Sequence, residues 1–86
     1  MTLKELQKLF PDVTLDTWHQ HPRGGGWVQN TASVAESVYV GHNTLIYGNA
    51  QVFGNTRVGG YAQISENARV FGNANVYGDA KVGGYA

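Results

Sequence analysis

Three histidines and two acids are the residues whose chemistry first asks for an explanation. His19 and His21 stand two apart, so in an extended stretch both can face one way, as two ligands of a metal would. His42, the remaining imidazole, lies apart from them at residue 42. A catalytic zinc needs a third protein ligand in a preformed cage, and a base needs an orienting partner and a substrate cleft. No cysteine occurs in the 86 residues, so thiolate ligands and disulfides are excluded. Glu36 and Glu66 are the candidates for a carboxylate pair. Gly24-Gly25-Gly26 could cradle phosphate, but such a loop runs from a strand into a helix and carries a Lys-Ser/Thr after it. Here Trp27-Val28 follows instead, and the expected role is a passage that lets the backbone run close to its neighbour.

Whether these side chains meet depends on what carries them. Thr2-Leu3-Lys4-Glu5 has the form of a capping box, and Leu3, Leu6, Leu9 and Phe10 then share one helical face. Pro11 stops the pattern, so a helix is expected over about residues 2–10. Residues 11–30 read as irregular, with Leu15, Trp18 and Trp27 as apolar anchors. Residues 1–30 together form a cap, and residues 31–86 form the body.

In that body every sixth residue from Val34 to Val82 is Val or Ile, nine in succession, and two residues before each stands a small or slim one. In Ala50-Gln51-Val52-Phe53-Gly54-Asn55 the two apolar residues point one way and Gln51 and Phe53 the other. Gly54-Asn55 then turns the chain. Each unit is a very short strand and a corner, and stacking the units as parallel rungs buries every Val/Ile in one interior. Val52-Phe53-Gly54-Asn55 recurs as Val70-Phe71-Gly72-Asn73 eighteen residues later, which suits three units per coil. Phe53 then lies over Phe71, and Asn55 over Asn73. Tyr39, Arg57 and Asn75 share a second face, and Leu45, Gln63 and Lys81 the third. Glu36, His42 and Glu66 occupy corner slots where other units have glycine. On this count the two glutamates fall at different corners, which removes the carboxylate pair.

On these nine units, residues 31–86 resemble the hexapeptide-repeat superfamily, whose members fold as left-handed parallel β-helices with three hexapeptides per coil. The expected fold is therefore all-β, a left-handed parallel β-helix of about three coils with a short N-terminal capping α-helix. The left hand is what the resemblance implies, since general chirality rules favour right-handed crossovers. The resemblance also implies two kinds of chemistry. Acyltransferases of the superfamily use a histidine as general base, which here falls to His42. The γ-class carbonic anhydrases hold zinc with three histidines across a subunit interface, which here would be His19, His21 and His42. His42 shares its corner with Gly60 and Gly78, which leaves open space beside it, but about three coils offer little cleft. A solvated corner histidine and hydrogen-bonded surface histidines are the expected readings, with no cofactor.

Six basic and six acidic residues cancel, which argues against nucleic acid or an anionic membrane as partner. Arg57 and Arg69 fall on different faces, so they form no basic stripe. No apolar run reaches signal-peptide or membrane-spanning length, and the cytoplasm is the default compartment. The chain finishes in mid-phrase at Val82-Gly83-Gly84-Tyr85-Ala86. An uncovered last rung is a pairing hazard, so a homodimer through the C-terminal coil is expected, with a side-packed trimer as competitor. The expected interface residues are Phe53, Phe71, Tyr77, Val82, Tyr85 and Ala86. The function expected is that of a non-enzymatic, self-associating module for protein binding or structure. Its repeat style is similar to small bacterial and phage proteins of the superfamily, and an inhibitor of a host protein fits it. The alternative is a minimal acyltransferase-like or metal-dependent enzyme with its site at a subunit interface.

Overall fold

Thr2 and Glu5 close the capping box that the first residues promise. In the computed structural model, which describes residues 2–83, the Thr2 hydroxyl accepts the Glu5 N–H at 3.2 Å and the Glu5 carboxylate accepts the Thr2 N–H at 3.1 Å. The hydrogen bond from the Thr2 backbone holds the Glu5 carboxyl below its ordinary range. That contribution is present above the unfolded carboxyl's pKa and is lost as pH falls through the folded one. Helix α1 (Leu3–Leu9) ends at Phe10, before Pro11, and buries Leu6.

The stretch that reads as irregular holds two short strands. β1 (Trp18–Gln20) and β2 (Trp27–Gln29) pair antiparallel, with His19 opposite Val28. The glycine run closes this hairpin: Gly24 and Gly25 take positive φ of 101° and 78°, and the His21 N–H donates to the Gly26 carbonyl at 2.7 Å. It also does what close passage requires. Side chains at Gly24 and Gly26 would collide with Val40, while the Gly26 N–H donates to the Val40 carbonyl at 3.0 Å and the Val40 N–H to the Arg23 carbonyl at 2.9 Å. Three-residue strands are too short to show an alternating pattern; their pairing is imposed from outside.

The repeat then gives β3 (Ser33–Val34), β4 (Tyr39–Val40), β5 (Leu45–Ile46), β6 (Gln51–Val52), β7 (Arg57–Val58), β8 (Gln63–Ile64), β9 (Arg69–Val70), β10 (Asn75–Val76) and β11 (Lys81–Val82). Every third strand is a parallel neighbour, so the sheets run β3-β6-β9, β4-β7-β10 and β1-β2-β5-β8-β11. The protein is a parallel β-solenoid of about three turns. Outward residues donate their N–H to the carbonyl of an inward residue one coil on, as Leu45 does to Ala62 at 3.1 Å and Gln63 to Ala80 at 2.9 Å.

The inward residues form one column. Val38, Val40, Ile46, Ala50, Val52, Val58, Ala62, Ile64 and Ala68 are buried, and Val28 of β2 extends the same column upward. Thr44 and Thr56 also point inward, each with its hydroxyl satisfied by a carbonyl, of Gly60 and Phe53 respectively. In the last coil described, Ala74, Val76, Ala80 and Val82 are only partly buried.

A second apolar cluster lies outside the solenoid. Leu45 points outward in register with Gln63 and Lys81, yet it is buried, because Leu6, Val13, Trp18 and Trp27 cover it. The cap therefore works in two ways: β2 adds a rung to one sheet, and α1 with both tryptophans seals that sheet's flank. Among the described residues, no helix is long and apolar enough to cross a membrane.

The corners are as tightly specified as the core. A Cβ on Gly54 would lie 2.7 Å from the Gly72 carbonyl oxygen and 2.9 Å from its nitrogen, whereas one on Gly72 meets nothing within 4 Å. Both residues have positive φ, 81° and 76°. Alanine at 72 should therefore cost only the left-handed backbone penalty, about 1 kcal/mol. Alanine at 54 should cost that and a backbone clash, about 2–4 kcal/mol in all. Urea unfolding of G54A and G72A checks this; equal losses would contradict the coil-on-coil contact.

Candidate functional site

His19 lies exposed on β1, and its Nδ1 is 2.6 Å from Asn30 Oδ1. Asn30 donates its amide N–H to the Asp16 carbonyl at 2.8 Å, so its oxygen is left to accept and His19 carries hydrogen on Nδ1. His21 is only 4% exposed, and its Nε2 stands 2.6 Å from the Val38 carbonyl oxygen. A carbonyl only accepts, so His21 carries hydrogen on Nε2 and ties the hairpin to the first coil. The first histidine is an exposed group and the second a buried strut. They do not point into one space.

His42 is exposed at its corner and borders a pocket of about 200 Å³ with Tyr39, Asn43, Gly59, Gly60 and Tyr77. Open space beside it is thus present, as its corner glycines suggest. Among the described residues that line this pocket there is no acid. Among the described residues, no three His, Asp or Glu side chains are grouped so as to hold a metal ion.

Glu36 and Glu66 lie at different corners. Next to Glu36, the Ser37 hydroxyl donates to the Gly54 carbonyl at 2.7 Å, while Glu66 stacks against Gly48. Glu66 has φ of 58°, so it takes the left-handed form that Gly48 takes above it at 71°. Glu36 and His42 do not share that feature, being absent from the residues with positive φ.

The outward faces are where side chains do assemble. Phe53 and Phe71 stack at 5.4 Å between centroids with 9° between planes, and they are 42% and 60% exposed. Asn55 donates its side-chain N–H to the Asn73 side-chain oxygen at 3.4 Å, which continues the ladder into the corner. Beside Phe53 a shallow depression of about 510 Å³ runs past Gln51 and Val34 to His19. Of the other expected interface residues, Tyr77 is exposed and Val82 half-buried, while Tyr85 and Ala86 lie outside the described residues.

Two further hollows have no counterpart in the motifs. One, of about 380 Å³, opens where α1 meets the solenoid, lined by Phe10, Asp12, Val13, Trp18 and Tyr47. Its aromatic rings pack on one another, with centroids 5.0 Å apart for Phe10–Tyr47 and 5.4 Å for Phe10–Trp18, so they form a wall and not an open cage. The other, of about 210 Å³, is lined by Arg23, Tyr39, Arg57 and Tyr77. Eighteen-residue stacking makes Tyr39 and Arg57 neighbours, and Arg23 joins them through the β1–β2 hairpin.

No protein-family model, curated protein or solved structure matches this chain. The site assignments therefore rest on geometry. If His21 is a structural strut, H21A should lose about 2–4 kcal/mol of stability through a cavity and an unpaired Val38 carbonyl. L15A, at a side chain 67% exposed, should change stability by less than about 0.5 kcal/mol. Chemical denaturation of both variants checks the contrast.

Proposed function

We propose that this protein is a non-catalytic β-solenoid that self-associates and presents an aromatic face to a protein partner, built on the left-handed hexapeptide-repeat plan. The observation that carries the reading is the Phe53–Phe71 ladder. Two large rings stacked in parallel and left about half exposed form a preordered apolar patch, with the depression toward His19 beside it. Rigid aromatic side chains lose little entropy when a partner covers them, which favours them as anchors. The repeat supplies the rest of the argument, because its inward slots are filled with Val, Ile, Ala and Thr and hold no reactive group.

Self-association through the C-terminal coil belongs to the same proposal. Ala74, Val76, Ala80 and Val82 are half-buried where Thr56, Val58, Ala62 and Ile64, one coil earlier, are buried. A second copy laid against these half-buried residues about a twofold axis would cover them. We favour this dimer over a trimer packed along the solenoid flanks. The reading does not require a cofactor, nucleic acid or membrane, and a cytoplasmic setting suits it.

Light scattering tests this. The 9.3 kDa chain should run at twice its mass, V82E should fall to a monomer, and F53S/F71S should remain dimeric because its change lies off the coil interface. A wild-type mass that stays at one chain over all concentrations would contradict self-association. Acyl-CoA turnover that disappears in H42A would overturn the non-catalytic reading in favour of an interface enzyme.

A further inference from the structure

Arg57 of sheet β4-β7-β10 and Arg23 of the hairpin turn stand at one groove, and no ion pair in the described structure neutralises them. Arg57 projects outward from β7, in register with Tyr39 on one side and Asn75 on the other. Arg23 sits one rung before Tyr39, its carbonyl accepting the Val40 N–H. Tyr77 leans back over the neighbouring corner, where a Cβ on Gly59 would lie 2.9 Å from its ring carbons. The four side chains line the hollow of about 210 Å³, and past Tyr39 and Tyr77 it adjoins the pocket of about 200 Å³ floored by Gly59 and Gly60.

The chain has six basic and six acidic residues, yet two of the basic ones line this groove and none of the acids lines either half of it. Among the described residues, neither guanidinium has an ion pair, and no hydrogen bond from Arg23 or Arg57 side chains is made. Two unspent guanidiniums offer donors in planar forks suited to phosphate oxygens. They are matched in charge by a phosphate monoester, which carries nearly two negative charges at neutral pH. Tyr39 and Tyr77 line the adjoining half with Gly41, His42, Asn43, Gly59 and Gly60, so aromatic ring surface and bare glycine backbone lie beside the two cations, as a planar ring requires.

We propose that this groove binds a small phosphate monoester bearing a flat ring, with Arg23 and Arg57 holding the phosphate and Tyr39 and Tyr77 flanking the ring. The proposal is independent of the protein-binding reading, since the Phe53–Phe71 ladder follows a different sheet, β3-β6-β9.

Phenyl phosphate is the probe, titrated into the isotope-labelled protein and followed by backbone amide shifts, with inorganic phosphate and phenol as separate arms. Saturable shifts at Gly41, Gly59 and Gly60 are expected with phenyl phosphate, and affinity should fall about ten-fold or more in R57Q and in R23Q. R69Q, on β9 of another sheet, should bind as the wild type does. The amide spectra of the unliganded variants show whether each is folded, and Y77A provides a second probe of the slot that leaves both charges in place. Failure to saturate, equal weakening by R69Q, or inorganic phosphate binding as tightly as phenyl phosphate would each overturn the proposal.

Discussion

The structure depends on one hydrogen-bond relation. Between Ser33 and Ser65, the N–H of outward residues in and beside the strands donates to the carbonyl lying seventeen positions ahead, as in Ser33 to Ala50, Tyr47 to Ile64 and Ser65 to Val82. The register repeats every eighteen residues, so each side chain stands beside its counterpart one coil away. Strands of two residues have almost no stability as isolated hairpins. They persist because a buried column of valine, isoleucine and alanine runs through all of them, and because the corners admit no slippage.

From this relation comes a division of labour. Even-numbered strand positions are committed to the interior, and chemistry can appear only at odd-numbered positions and corners. Ladders of like residues are then unavoidable, and their character depends on which residues recur. Phenylalanine recurring gives a stacked apolar rung, asparagine gives an amide pair, and arginine in register with tyrosine gives a cation beside a phenol ring. The same constraint separates Glu36 from Glu66, because residues thirty apart cannot share a corner in an eighteen-residue coil. A solenoid of this kind makes surfaces readily and convergent active sites with difficulty.

Much of this was legible in the residues. The six-residue period specifies strand, corner and stack together, and the outward neighbours Phe53–Phe71 and Tyr39–Arg57–Asn75 follow by counting. The capping box of Thr2 and Glu5 is likewise a local signal with a local cause. The hairpin of β1 and β2 was not legible, because its strands gain their partners from residues far along the chain: Val28 from Ile46, and Gly26 from Val40. Missing it hides two features of the candidate sites. His21 becomes a buried strut only when the hairpin lies on Val38, and Arg23 reaches Tyr39 and Arg57 only because the glycine run carries it there. Leu45 shows the same effect: it points outward as counted, yet the cap covers it.

Every surface assignment rests on the eighteen-residue register, and cross-linking measures that directly. The chain has no cysteine, so a pair introduced by substitution is the only thiol pair present. Adjacent parallel strands place their partner Cα atoms about 4.8 Å apart, within the range a disulfide spans. R57C/N75C, a stacked pair eighteen apart, should close an intramolecular disulfide under mild oxidation in dilute solution. R57C/R69C, twelve apart and on different sheets, should not. Efficient closure of the second pair, or none of the first, would contradict the coil on which the whole account stands.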